Sequence, residues 1–529
     1  MSPELLVGVD LGTTVLKAAV FEAGSGRALA RAARPLAVRL GPAGEREQSA
    51  GELDGALRGA FAELRRAAGG RWRRLAGVGL AAQGGSGLIA DRATGRALTP
   101  LVLWNDARAY RYLPRVSAGR PASFWRRRTL RDGPGSGLGR LLWLRETRPK
   151  LLGPENIYVG AGEYAFFRMT GRWRQDPCNA LQIGCFNARR RELDAELLGL
   201  VGLPLSFVAP LRRGHELGAL SAAGARLLGL PQGLPVAGPY MDHEAGYLSA
   251  VGVSRRPLQC SLGTAWVGNF AVGEKVSGTF CAKHPDGPFR QKVSDTFSLP
   301  RSPFQLVLPA VVGGGWLVVQ PLLTGNVTWN WALEQFVDAD QRRALAKLDG
   351  IFGAELLPPE GLTALPWLNR PNPLVPAALG GAAFFGLGPQ TGKAELVRAV
   401  AAAMGYEFYR VFREVAGRRQ VDSLVLGGGA SKGEFFRRLL AGLFAPLPVY
   451  RLVEEDSSGA RGTLWAFDRR VARAAVRRVP VPGAELRKRL ARGYEQYLEV
   501  FRRLYAGEPA GRPVTFGGTA TFWRKGARL

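Results

Sequence analysis

A five-residue pattern occurs twice in this chain, as Val9-Asp-Leu-Gly-Thr13 and as Cys260-Ser-Leu-Gly-Thr264. Each copy closes an apolar run, Leu5–Val9 in the first case and Pro257–Gly263 in the second, so each reads as a strand entering a Gly-Thr turn. In a chain of 529 residues the repeat marks off two halves, each long enough to bury its own core. The expectation is a duplicated α/β domain. Residues 1–253 form the first unit, 254–470 the second, and 471–529 an Arg-rich helical extension ending in a loose polar terminus.

The rest of the chain follows that plan. Val15–Glu22 and Ala28–Val38 complete a meander with the first strand before a helical pattern over Gly51–Ala68, and Ala76–Ala82 returns as a strand. Leu234–Ala237 leads into Gly238-Pro-Tyr-Met-Asp242, where a helix can begin. In the second half, helical patterns at Ala394–Val415 and Phe435–Phe444 flank the strand Ser423–Leu426, which runs into Gly427-Gly-Gly429. Phe304–Gly325 is the most apolar stretch, but Pro309, Gly313–Gly315 and Pro321 interrupt it, so it reads as buried strands and turns rather than a membrane span.

Composition narrows the function. With 46% apolar and 22% charged residues the chain is an ordinary globular sequence. Lys and Arg number 72 against 43 Asp and Glu, a formal net charge of +29 that draws attention to nucleic acid or an anionic ligand. The cations are mostly Arg and are scattered, with short clusters at Arg126–Arg128 and Arg189–Arg191, so no nucleic acid partner is expected. Cys178, Cys185, Cys260 and Cys281 make neither a disulfide framework nor a CxxC site, and with three His a zinc centre is not expected. Met1-Ser-Pro-Glu lacks a basic signal-peptide start, and the expected location is cytoplasmic.

Three glycine turns carry the chemistry. In Asp10-Leu-Gly-Thr-Thr14 a strand-end carboxylate stands beside backbone N–H groups and hydroxyls, a combination that can hold phosphate oxygens and a hydrated Mg²⁺, though the same residues are common in hairpin turns. Ser261-Leu-Gly-Thr264 supplies a second Gly-Thr turn. Gly427-Gly-Gly-Ala-Ser431 lets backbone approach a ligand and aims a helix start toward it.

With Asp242, these turns make the chain resemble the FGGY carbohydrate kinases. The resemblance extends over residues 5 to 468 through Val7–Lys17, Leu101–Arg108, Leu141–Glu146, Gly238–Gly246, Asn369–Pro373, Gly380–Gly388, Leu426–Ser431 and Gly459–Gly462. It implies two ribonuclease-H-like domains, as in actin and hexokinase, with a cleft between them. It also implies transfer of the ATP γ-phosphoryl group to a sugar or polyol hydroxyl. In that reading Asp242 is the base that takes the hydroxyl proton, with a helix N-cap as its plainer role. Asp10 is the Mg²⁺ carboxylate. Thr13, Thr14, Lys17, Gly263, Thr264, Gly325, Gly427, Gly428, Gly429 and Ser431 lie on the nucleotide side, Lys17 having an exposed strand face as its alternative.

The substrate side departs from the family pattern. Relatives acting on xylulose-like substrates carry Gln-Met-His-Gly or Gln-Gly-Asp-Gly, whereas this chain reads Gln83-Gly84-Gly85-Ser86-Gly87. A polar side chain has become Gly85, which implies a different or bulkier substrate, with Ser86 as partial compensation. Trp104, Asp106 and His243 complete the expected substrate side. The pattern tilts toward five-carbon ketoses or short polyols. A possible homodimer and, as an alternative function, a noncatalytic sugar or nucleotide sensor remain open. Gly388–Lys393 imitates part of a P-loop but is followed by Ala394 and reads as a turn, while Trp329-Asn-Trp331 reads as core packing.

Overall fold

The computed structural model describes residues 4–505 except 264, 274–289, 295–296, 301–304, 311, 313–314, 323, 354, 369–380, 418–419 and 454–456. Thr264, Cys281, Asn369–Pro373 and the terminus after residue 505 therefore lie outside the described residues.

The first half is built on β1 (Leu5–Leu11), β2 (Val15–Glu22), β3 (Ala28–Pro35), β4 (Leu75–Ala82), β5 (Leu217–Ala219) and β6 (Pro235–Met241). They form one sheet in the order β5-β6-β4-β1-β2-β3. The second half contributes β7 (Pro257–Leu262), β8 (Trp266–Val272), β9 (Leu306–Pro309), β10 (Trp316–Leu322), β11 (Ser423–Gly427), β12 (Val449–Leu452) and β13 (Val476–Arg478), ordered β9-β10-β8-β7-β11-β12-β13. The two sheets repeat one topology. In the first, β1 pairs antiparallel with β2 and parallel with β4, which is itself parallel to β6. In the second, β7 pairs antiparallel with β8 and parallel with β11, which is parallel to β12. The strands that carry the repeated pattern, β1 and β7, therefore hold the same place in a duplicated fold. β13 is a strand in a stretch that the Arg-rich composition suggests is helical; a partner edge on β12 makes the difference.

Period-two alternation explains which face of β1 meets what. Leu5, Val7, Val9 and Leu11 share a core with Leu53, Leu57, Phe61 and Leu64 of α1 (Ala50–Ala68), the crossover helix between β3 and β4. Leu6 faces the other way and packs with Ala19, Phe21, Leu464 and Val471. On that same face Gly8 lies against the backbone of Ala460, Gly79 against Thr463 and Gly77 against Phe467. Residues 458–472, which come late in the chain, thus dock onto the first sheet through a stripe with almost no side chains.

Helices that frame the site are α2 (Ala107–Ser117), α3 (Ser136–Thr147), α4 (Ala161–Thr170), α5 (Pro177–Ile183), α6 (Asp242–Val251), α7 (Asn326–Phe336), α8 (Lys393–Gly417), α9 (Glu434–Leu443), α10 (Ser458–Gly462) and α11 (Ala484–Tyr505). Trp329 of α7 packs against Phe435 and Phe436 of α9, as core packing requires. The P-loop-like stretch ends where α8 begins, at Lys393. The helix α11 docks through Leu490, Tyr494, Tyr497 and Leu498 into the second-half core, and Tyr497 Oη donates to Glu407 Oε2 at 2.8 Å. Cys178, Cys185 and Cys260 are buried and free. No helix among the described residues is long and apolar enough to cross a membrane.

Candidate active site

The face of the first sheet that receives residues 458–472 also carries Asp10, because Asp10 follows Leu6 and Gly8 in strand alternation. Its Oδ2 lies against Gly459 of α10, and its buried Oδ1 has no hydrogen-bond partner among the described residues. Burial and the carboxylate of Asp242 push the Asp10 carboxyl up to about 7, opposed by Lys17, its cross-strand neighbour in register. Lys17 is therefore a half-buried counter-charge to Asp10 rather than an exposed face residue. A hard oxygen ligand that lacks a donor is what a Mg²⁺ site needs, so this carboxylate fits the ion.

Asp242 opens α6 directly after β6, but it does not cap the helix. Met241 holds the N-cap position, and Glu244 Oε2 reaches back to the Met241 N–H at 3.4 Å. The Asp242 carboxylate accepts only its neighbour's backbone, from His243 N at 2.8 Å, among the described residues. It is left half-buried at the end of the strand that continues the Asp10 face. His243 is half-buried too, and the side-chain partner next to it is already used, since Glu244 pairs with Arg212.

Behind α6, Arg212 bridges Asp176 at 2.7 Å and Glu244 at 3.4 Å, all three buried. Burial works against the Arg212 charge, but Glu244 and Asp176 outweigh it and hold the guanidinium above its usual range. Burial, together with Asp176, raises Glu244. Asp176, Cys178 and Glu244 form the one cluster of three metal-capable ligands among the described residues, and the guanidinium already fills the role of cation there.

The Gln83–Gly87 loop, expected on the substrate side, is held from all sides. Gln83 Oε1 accepts from Thr13 Oγ1 at 3.2 Å and from Ser86 Oγ at 2.9 Å, while its Nε2 donates to Gln48 Oε1 at 3.0 Å. Gly85 N donates to Asn179 Oδ1 at 2.8 Å, and Arg140 Nη1 donates to Gly85 O at 3.1 Å. Gly85 has φ +77°, a conformation glycine adopts without strain. The cavity beneath the loop, lined by Gln83, Glu163, Asn179 and Met241, is about 10 Å³ and holds at most one water.

The expected substrate residues separate into two groups. Trp104 is 45% exposed, its Nε1 donating to Thr13 Oγ1 at 3.3 Å and its backbone N to Ser86 Oγ at 3.0 Å, so indole and loop form one wall. Asp106 is not on that wall. It is fully buried, caps α2 by accepting from Arg108 N, and takes Arg46 N at 2.7 Å and Arg108 Nη2 at 2.7 Å. Its burial works against the charge, and the bonds from Arg108 and Arg46 nevertheless hold the carboxyl low. The strand preceding it covers only Leu101–Val102.

Of the residues expected on the nucleotide side, Thr14 is exposed, while the Thr13 hydroxyl is engaged by Gln83 and Trp104. The second-half turns converge. Gly263 O accepts from Asn326 N at 3.0 Å just after Gly325, which caps α7. Gly428, at φ +88°, presses on the backbone of Leu262, and a side chain on Gly429 would meet Asn326 Nδ2. Since Ser261 pairs with Gly427 as Asp10 pairs with Ala81, Gly427–Gly429 holds the place in the second sheet that Ala81–Gln83, the entry to the Gly84–Ser86 loop, holds in the first. Ser431 is fully buried.

Residues 5–249 match the N-terminal domain of the FGGY family of carbohydrate kinases, and residues 302–466 match its C-terminal domain. The chain belongs to this family. It is thus an ATP-dependent phosphotransferase acting on a sugar or polyol hydroxyl. Among curated relatives it is 27% identical to the xylulose kinase of Escherichia coli over 390 residues, 71% of this chain and 72% of that one. It is also 27% identical to the glycerol kinase of Thermus brockianus over 477 residues, 87% and 89% of the two chains. The solved xylulose kinase of Rhodospirillum rubrum superposes with a TM-score of 0.78 at 20% identity, covering 95% of this kinase and 99% of that chain. A Brucella ovis structure titled as a xylulose-type kinase gives 0.78 at 22% identity, covering 96% and 100%. The shared fold is the two-domain actin/hexokinase-like one.

Residues that sequence reasoning missed are those that fix the loop from a distance: Gln48, Asn179, Gln182 and Arg140. No local motif announces them. Gln48 Nε2 donates to Thr13 O at 2.6 Å from 35 residues away. Gln48 comes from the strand ahead of α1, Arg140 from α3, and Asn179 and Gln182 from α5, so only tertiary packing brings these side chains to the loop.

Proposed function

We propose that the enzyme phosphorylates a small uncharged ketose or polyol, with a five-carbon ketose such as xylulose as the first candidate, and that Asp242 is its general base. The observation that carries this reading is the state of Asp242: it heads α6 with its carboxylate free of the capping role and faces Asp10 on the same sheet end.

The chemistry follows from those positions. A sugar hydroxyl is a poor nucleophile near neutral pH, so its proton must leave as its oxygen bonds to phosphorus. Asp242 accepts that proton, the new O–P bond forms, and the bond from phosphorus to the bridging β–γ oxygen breaks to release ADP. Asp10 would hold Mg²⁺, which would supply charge neutralisation for the phosphates. The backbone of Gly427–Gly429 and Gly263 offers the close approach that a nucleotide requires, while Trp104 and the Gly84–Ser86 loop bound the acceptor side.

The sensor reading rests on a loop stripped of its polar side chain. Gln182 fills that space, so the loop is no reason to give up catalysis. The test is ADP release by purified enzyme with Mg²⁺ and ATP across pentuloses, hexuloses, glycerol and tetritols, beside Asp242→Asn. One acceptor should stimulate turnover, and the variant should lose it while still binding nucleotide. Nucleotide binding without stimulation by any acceptor would leave the sensor as the better reading.

A further inference from the structure

Two consecutive glycines in a substrate loop leave a volume that something must occupy. Here the occupant comes from α5, about one hundred residues downstream. A side chain on Gly84 would collide with Gln182 Nε2 and then with Met241 Sδ at 2.8 Å, and one on Gly85 would meet Gln182 Oε1 at 2.5 Å and Trp104 Cβ at 3.3 Å. The Gln182 carboxamide therefore lies against both glycines and touches the residue directly before Asp242. Trp104 stands at its other side.

Its neighbours have spent their hydrogen-bonding capacity inward. Gln83 is tied to Thr13, Ser86 and Gln48; Ser86 Oγ donates to Gln83 and accepts from Trp104 N; Asn179 accepts from Gly85 N and donates to Glu163. Arg140, the guanidinium that reaches the loop, is fully buried behind it on Gly85 O, Leu103 O and the Tyr158 hydroxyl. Gln182 differs. It is half-buried, and among the described residues its side chain bonds only Met241 Sδ, at 2.8 Å, a weak acceptor, although a carboxamide can make four hydrogen bonds.

We infer that Gln182 is the specificity-determining residue of the acceptor site, replacing from α5 the polar side chain that the loop lacks, and that it reads a hydroxyl of an uncharged polyol or ketose. This rests on the kinase reading above. A neutral carboxamide can both donate to and accept from a hydroxyl, whereas a sugar acid would find no free cation in this set. The position next to Met241 places the contact beside the base, so the contacted hydroxyl belongs to the carbons near the one phosphorylated.

The test uses Gln182→Met, which keeps the length and packing and removes the hydrogen bonds. For the best acceptor of the wild-type enzyme, KM should rise about tenfold, the loss of one net hydrogen bond, with the KM for ATP and Tm unchanged. The penalty should vanish for the deoxy analogue that lacks the contacted hydroxyl. A second arm exchanges the source of the amide: Gly85→Asn alone should cripple the enzyme by collision with Gln182, while Gly85→Asn in a Gln182→Ala background should recover acceptor binding, since Asn tolerates the left-handed backbone. An acceptor KM within twofold of wild type in Gln182→Met overturns the assignment and leaves the kinase reading intact. Wild-type enzyme that binds ATP but turns over no acceptor overturns both.

Discussion

Asp10 and Asp242 are 232 residues apart in sequence and act on each other at one end of the first sheet: together with burial, the Asp242 carboxylate raises Asp10 to about 7. Two carboxylates held close without a shared donor are costly to the protein alone and useful once a cation arrives. That relationship ties stability to function, and the two should separate under mutation.

Asp10→Asn should stabilise the ligand-free enzyme at alkaline pH. Between the ordinary carboxyl value of 3.8 and about 7 the folded state keeps a proton on Asp10 that the unfolded chain has released, so Asp10 makes stability fall as pH rises through that window. The variant lacks this loss, so it should unfold later than wild type above pH 7, by on the order of 4 kcal/mol at most, with the gap closing below about pH 4. Denaturant midpoints across pH, with Mg²⁺-dependent turnover measured in parallel, check both sides. Equal stability at all pH values would mean Asp10 is not burdened by its site.

Asp242→Asn should cut kcat by about 10²- to 10⁴-fold, the usual worth of a general base. Because the carboxylate does not cap α6, Tm should move little. A variant with near-normal kcat would place the base elsewhere.

Replacing Arg212 by Ala should be far more damaging to folding than to nucleotide affinity. It would leave Asp176 and Glu244 buried without a cation, a loss of about 3–5 kcal/mol. Chemical denaturation gives the number, and a change below about 1 kcal/mol would show that the carboxylates are satisfied by other means.

Gly462→Val tests the docking of α10 on the first half. A side chain there meets the carbonyl of Ala245 in α6, so α10 must back away from α6. A stability loss of about 1–3 kcal/mol is expected, with reduced turnover because the same helix backs Asp10 through Gly459. Calorimetry and the ADP assay measure the two effects, and a fully active, equally stable variant would count against this docking.

Tyr497→Phe in α11 should cost about 1 kcal/mol, since it removes the donor to Glu407 inside the second-half core. Deleting the helix entirely should expose Tyr406, which packs on Tyr494 and Tyr497, and lower solubility, readable by light scattering.

The duplicated sheet, the first Gly-Thr turn, α1 and α8, and the positions of Asp10 and Asp242 were legible from residue order because their causes are local. Alternating apolar residues make a strand whatever it packs on, a glycine turn ends it, and a carboxylate at such an end stays there. Other features depend on residues far apart in sequence. The Thr13 hydroxyl turns to Gln83 and Trp104, Asp106 is drawn into Arg108 and away from the substrate wall, β13 forms because β12 offers an edge, and Gln182 reaches over two glycines near residue 84. Each is a matter of which side chain fills a space or meets a free donor once the helices close on the sheets, and no periodicity in the chain encodes that choice. The two carboxylates at the end of the first sheet thus follow from local order, and the shape of the wall beside them follows from long-range packing.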